Sequence, residues 1–160
     1  MTIQVGDTLP SINLMTMTGE GPKPISLSDI SAGKKIVLFA VPGAFTPTCS
    51  LQHLPGFIEK NPEFRNKGVD VVACVSMNDP FVMKAWGEDR KVGEDILMLS
   101  DGNGEFTAAI GLEMDGSGFG LGTRSQRYAM VIDDGVVSAL NIETGPGLDV
   151  SSAETILEQL

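Results

Sequence analysis

The residues best placed to do chemistry lie in one short string, Pro42-Gly43-Ala44-Phe45-Thr46-Pro47-Thr48-Cys49. Thr46 suits the N-cap of a helix, and Pro47 suits the first helical position, where a missing N–H costs nothing. Cys49 then falls at N3, in the first turn. Unpaired backbone N–H groups and the positive end of the helix dipole lie close to a sulfur there, and they favour the reactive thiolate over the thiol. Thr46 carries one donor proton and two lone pairs, so it can accept a helix N–H and still donate toward sulfur or a bound oxygen. The competing readings are a buried, inert thiol at Cys49 and a plain cap at Thr46.

The flanking sequence supplies the elements this placement needs. Residues 36–41 (Ile-Val-Leu-Phe-Ala-Val) read as a buried strand. Leu51, Leu54, Phe57 and Ile58 have helical spacing. That helix is expected to end near Pro55-Gly56, or to kink and continue to Lys60, because Pro55 cannot donate to it. Pro62-Glu63-Phe64 starts a further turn to Lys67, with Gly68 just beyond its end. Residues 69–76 form a second strand, and Asp79-Pro80 opens a helix bearing Phe81, Val82, Ala85 and Trp86. Residues 96–100 form a third strand, followed by a short helix with Phe106, Ala109 and Ile110. Asp133-Asp134-Gly135 joins residues 128–132 and 136–141 as a hairpin. Ser151 or Ser152 caps a last helix to Leu160. Residues 5–32, punctuated by Gly and Pro, are expected to hold short irregular strands and turns, with one helical turn at 26–30. Early parallel βαβ units followed by a hairpin give a thioredoxin-like α/β fold, with a mixed central sheet and helices on both faces.

A chain of 160 residues without repeat or linker reads as one domain, residues 1–160. Its net charge of −10 argues against nucleic acid and anionic membrane surfaces as partners. Two cysteines make neither a disulfide framework nor a zinc site. The N-terminus lacks signal- and transit-peptide character, and no apolar stretch reaches transmembrane length. The cytoplasm is the expected compartment.

His53, four residues after Cys49, is the one histidine. A Cys–His metal pair and a hydrolase dyad are the sharper alternatives, but no third soft ligand is near in sequence and such dyads usually draw their histidine from far off; a partly exposed helix residue is the plainer expectation. Cys74, among Val71, Val72, Ala73 and Val75, reads as a buried thiol. Gly116-Ser117-Gly118-Phe119-Gly120-Leu121-Gly122 is not a nucleotide loop, since it runs into a strand. It reads as a flexible loop whose Phe119 and Leu121 line the site or a dimer contact. Met77, Met83, Met98 and Met130 read as core filler.

Thioredoxin-type proteins carry Cys-x-x-Cys where this chain has Thr46-Pro47-Thr48-Cys49, so a lone nucleophile replaces a dithiol. Pro42-x-x-x-Thr46-x-x-Cys49 resembles the active-site motif of peroxiredoxins. The string 41–50, His53-Leu54-Pro55-Gly56-Phe57, residues 71–79, Ala85-Trp86-Gly87 and Arg124-Ser125-Gln126-Arg127-Tyr128 resemble the peroxiredoxin 5, or type II, subfamily. The resemblance implies a peroxidase for hydrogen peroxide and organic hydroperoxides that uses no metal, haem or flavin. In it Cys49 is the peroxidatic nucleophile, passing through a sulfenic acid. Arg127 stabilises the thiolate and polarises the peroxide, and Pro42 shields the sulfur from water. Cys74 matches a resolving cysteine of some plant-type members. The place where animal-type members carry theirs reads Val150-Ser151-Ser152. The expected reductant is therefore an external thiol, glutathione with glutaredoxin first and thioredoxin second. A homodimer is expected too. The alternative is a redox sensor that uses Cys49 stoichiometrically.

Overall fold

The strand Lys35–Ala40 carries the chain into the Cys49 loop, and five of its six residues are buried. The computed structural model describes residues 1–160. Its elements are β1 (Asn13–Thr18), β2 (Gly21–Ser26), α1 (Leu27–Ile30), β3 (Lys35–Ala40), a π-helical turn (Cys49–His53) and α2 (Leu54–Asn66). There follow β4 (Val71–Ser76), α3 (Pro80–Asp89), β5 (Leu97–Ser100), α4 (Glu105–Ile110), β6 (Glu113–Asp115) and β7 (Thr123–Ser125). The chain closes with β8 (Tyr128–Asp133), β9 (Val136–Ile142) and α5 (Ala153–Glu158).

Seven strands form one mixed sheet in the order β2-β1-β5-β4-β3-β8-β9. β3, β4 and β5 are parallel, while β8 and β1 pair antiparallel at either side of them. Central parallel strands are apolar on both faces because helices cover both. Val37, Phe39, Val72 and Cys74 face α2, α3 and α5 through Leu54, Phe57, Phe64, Met83, Trp86 and Ile156. Ile36, Leu38, Ala40, Ala73 and Val75 face Leu27 of α1 and Phe106 and Ile110 of α4. This is the thioredoxin-like α/β architecture expected from the order of elements. No helix is long and apolar enough to cross a membrane.

Two local expectations need correction. Residues 13–26 form a regular hairpin rather than irregular turns, with Met17 opposite Pro22 and Met15 opposite Pro24. Both prolines sit on the edge strand at alternate positions, where their missing N–H groups face away from the ladder. The helix after Cys49 neither ends nor stops at Lys60; it runs unbroken to Asn66 and includes Pro62. Its end is a Schellman motif: Gly68, at φ 87°, donates to Arg65 C=O, and Val69 donates to Phe64 C=O.

Candidate active site

The site is built where β3 runs out. The Val41 N–H still bonds to Val75 C=O, and then the chain turns away from the sheet. Ala44 N–H donates to Asn78 Oδ1 at 2.8 Å, and Ser76 Oγ donates to the same oxygen at 2.8 Å. Asn78 lies just beyond β4, so the neighbouring strand end anchors the loop. From the other side Arg124 reaches the Pro42 carbonyl at 3.4 Å and the Leu121 carbonyl at 3.0 Å. A Cβ on Gly43 would lie 3.1 Å from Thr46 Cγ2, so the loop closes too tightly there for a larger residue without movement. Phe45 adopts φ 64°, a conformation that costs a bulky residue about 1–3 kcal/mol and is held by this anchoring.

Helical structure opens at Pro47, and Ser50 N–H donates to Thr46 C=O at 2.9 Å. Thr46 is thus the N-cap and Cys49 lies at N3, as its sequence position suggests. The Thr46 hydroxyl behaves otherwise than expected: it donates to Gly43 C=O at 2.6 Å, so its proton is committed away from the sulfur and its lone pairs remain. Leu54 N–H then bonds to Cys49 C=O, five residues back. Pro55 explains the wide turn. In an α-helical register its ring would strike the Leu51 carbonyl and its absent N–H would leave that carbonyl unpaired; one extra residue in the turn relieves both.

The wide turn carries His53 inward. It is 1% exposed, not the partly exposed residue its sequence position suggested. Its ring packs at a tilt against the stacked pair Phe39 and Phe57, at centroid distances of 5.0 and 5.5 Å. Nε2 lies 2.9 Å from the Ser151 carbonyl, and Nδ1 lies 2.9 Å from Arg127 Nη1. A carbonyl only accepts and a guanidinium only donates, so the ring is the neutral Nε2–H tautomer. Burial, with Arg127 alongside, lowers its pKa to about 3. Both nitrogens are spent, which removes the metal pair and the hydrolase dyad: no lone pair is left for zinc or for the Cys49 proton.

Arg127 precedes β8 and is 7% exposed. Its Nη2 donates to Cys49 Sγ at 3.1 Å, while Nη1 holds His53. A planar fork with fixed donors thus bridges sulfur and imidazole, a geometry that lysine cannot reproduce. Cys49 itself is fully buried. Pro42 and Arg127 also line a hollow of about 290 Å³ with Glu113, Gln126, Glu143 and Thr144. A larger hollow of about 440 Å³ beside α3 contains none of these groups, so size is not the guide here.

Cys74 shares the buried cluster with Cys49 but sits mid-strand, opposite Phe39, and is fully buried. Burial pushes its thiol well above the ordinary range, with the nearby Cys49 adding to the shift. Both cysteines are free. Of the other expectations, Phe119 is 89% exposed and lines nothing within the chain. Sequence reasoning missed the working parts of His53, Asn78 and Arg124. For His53 the signal was Pro55, which forces the wide turn.

A buried thiol in the first turn of a helix, beside a buried guanidinium on a thioredoxin-like sheet, is the arrangement of a thiol-based redox protein. The Redoxin family model matches residues 4–157. Peroxiredoxin-2E, chloroplastic, of Arabidopsis thaliana is 52% identical over 99% of this chain and 70% of its own length. Peroxiredoxin-2B of the same plant is 47% identical over 99% of this chain and 98% of its own. Among solved structures, reduced Prx3 in complex with H2O2 from Vibrio vulnificus superposes with a TM-score of 0.95 and is 56% identical, covering 99% of each chain. The chain belongs to the peroxiredoxins, in their type II subfamily. It is a thiol-specific peroxidase with an antioxidant function.

Proposed function

We propose that Cys49 is the peroxidatic nucleophile, with Arg127, Thr46 and Pro42 as its partners, and that an external thiol completes the cycle. The supporting observation is the 3.1 Å contact between Arg127 Nη2 and Cys49 Sγ. The thiolate attacks one oxygen of a hydroperoxide in line. The S–O bond forms as the O–O bond breaks, leaving cysteine sulfenic acid and an alkoxide or hydroxide that takes up a proton to give alcohol or water. Negative charge moves from sulfur to the leaving oxygen, and a fixed guanidinium beside both stabilises that movement without reorganising. The Thr46 lone pairs accept the peroxide O–H, and Pro42 keeps bulk water off the sulfur.

Burial of Cys74 favours resolution by an outside thiol over a disulfide within the chain. Glutathione with glutaredoxin is the preferred reductant and thioredoxin the second. Attack by that thiol on the sulfenic sulfur gives a mixed disulfide and water. Two unpaired thiols suit a reducing compartment such as the cytoplasm. Phe45, Phe81 and Phe119 stand exposed in segments tied to the site loop, which favours a homodimer through that face. The test is peroxide consumption by wild type and Cys74→Ser, with glutathione–glutaredoxin and with thioredoxin. Cys74→Ser should keep its glutathione-supported turnover; loss of that turnover makes Cys74 the resolving residue. Oxidation that stops after one equivalent with either reductant would mark a stoichiometric sensor instead.

A further inference from the structure

We propose that Glu143 is a positioning residue for the peroxide step, holding the Arg127 guanidinium in place through Ser151 and His53. Glu143 follows β9, and one of its carboxylate oxygens, Oε2, gathers three donors. They are Asp149 N–H at 2.8 Å, Ser151 N–H at 2.8 Å and Ser151 Oγ at 2.7 Å. Bonds from these donors hold the carboxyl below its usual range against the opposing effect of partial burial. The residue they fix, Ser151, is fully buried, and its carbonyl accepts the His53 Nε2–H. With that nitrogen committed, His53 can offer only the Nδ1 lone pair to Arg127. The other arm of the same guanidinium meets Cys49 Sγ. Glu143 also grips Arg127 directly, since its own N–H donates to the Arg127 carbonyl at 2.9 Å. One residue therefore secures the arginine at its backbone and, through two intermediates, at its head.

The chemistry calls for a carboxylate at this position. A charged oxygen accepts several short bonds at once, whereas an amide carbonyl is a weaker acceptor and its NH2 would meet donors. Without Glu143 the segment carrying Ser151 loses its anchor and the His53 ring loses its fixed Nε2 partner. Nη1 of Arg127 then has no aligned acceptor, and Nη2 drifts from the sulfur. A displacement of about 1 Å at a reacting centre can cost on the order of 100-fold in rate.

The proposal rests on the reading of Cys49 and Arg127 as the reacting pair, so Arg127→Ala is measured alongside. The readouts are the second-order rate of Cys49 oxidation by hydrogen peroxide and the His53 ring N–H signal in nitrogen–proton correlation spectra. Glu143→Ala should oxidise about 10-fold more slowly and lose the protected His53 Nε2–H signal. Glu143→Gln should show a smaller loss in the same direction, and it replaces the alanine variant if that variant fails to fold. A rate within about twofold of wild type, or an unchanged His53 signal, overturns the proposal while Arg127→Ala remains slow. A fast Arg127→Ala enzyme would instead overturn the reading of the reacting pair.

Discussion

At Cys49 the sulfur meets one cation, and that cation is oriented from behind by a neutral imidazole. Arg127→Ala removes the charge that follows the electron pair from sulfur to oxygen, and oxidation of Cys49 by peroxide should slow by about 10²–10³-fold, read by stopped-flow fluorescence. Arg127→Lys should recover only part of this, because an ammonium cannot bridge Sγ and Nδ1 as a fork does. His53 adds a pH dependence. Its folded pKa of about 3 lies below its unfolded value of 6.5, so the unfolded chain binds the proton first. Stability should therefore be intact above pH 6.5 and fall as the pH drops toward 3, with His53 contributing up to about 1.4 kcal/mol per pH unit. Urea midpoints across that window should fall more steeply for wild type than for His53→Gln; equal slopes would contradict the buried neutral ring. The placement of Thr46 at the N-cap and Cys49 at N3 was legible from residue type and spacing, since proline and a hydroxyl at a helix start are local signals, whereas the direction of the Thr46 hydroxyl was not. Arg127 was not, because it lies 78 residues away and only the family resemblance pointed to it. His53 was misjudged because its burial depends on a turn of unusual width.

The elements around the site act as clamps. The loop from Pro42 to Thr46 has no regular structure, so its shape comes from Asn78 on one side and Arg124 on the other. Asn78→Ala would leave the N–H of Ala44, a residue only 8% exposed, without its partner. A cost of about 1–3 kcal/mol is expected in denaturant unfolding, together with slower peroxide reduction as the Cys49 turn loosens. A variant with unchanged midpoint and rate would show that the clamp is dispensable. The strands and helices with strong periodicity were readable: the Asp134–Gly135 hairpin turn takes positive φ at both residues, as an Asp-Gly pair predicts. The β1–β2 hairpin was not, because Pro22 and Pro24 look like breakers until the strand is known to lie at a sheet edge. Pro62 misled in the same way. It sits inside α2, where the apolar face carrying Phe57 and Phe64 holds the helix together despite the missing bond.

At the scale of the molecule the sheet order places the reactive loop above β3, flanked by the ends of β4 and β8. That arrangement brings together Cys49, Asn78 and Arg127 from three distant stretches of chain. It also seals Cys74 within the sheet, which supports the proposal that an outside thiol resolves the oxidised enzyme. The order of elements was enough to read this topology, but the convergence of side chains was not, since it depends on register. The exposed Phe45, Phe81 and Phe119 predict a dimer, and sedimentation should show twice the mass of one chain; a monomer for wild type would contradict that face as an interface. The most direct measurement is to oxidise the reduced protein with one equivalent of hydrogen peroxide, trap the product with a sulfenic-acid reagent, and locate the adduct by mass spectrometry. The adduct should sit on Cys49 alone in the wild type and form far more slowly in Arg127→Ala. An adduct on Cys74 with Cys49 unmodified, or one that forms as fast without Arg127, would contradict the assignment of the site.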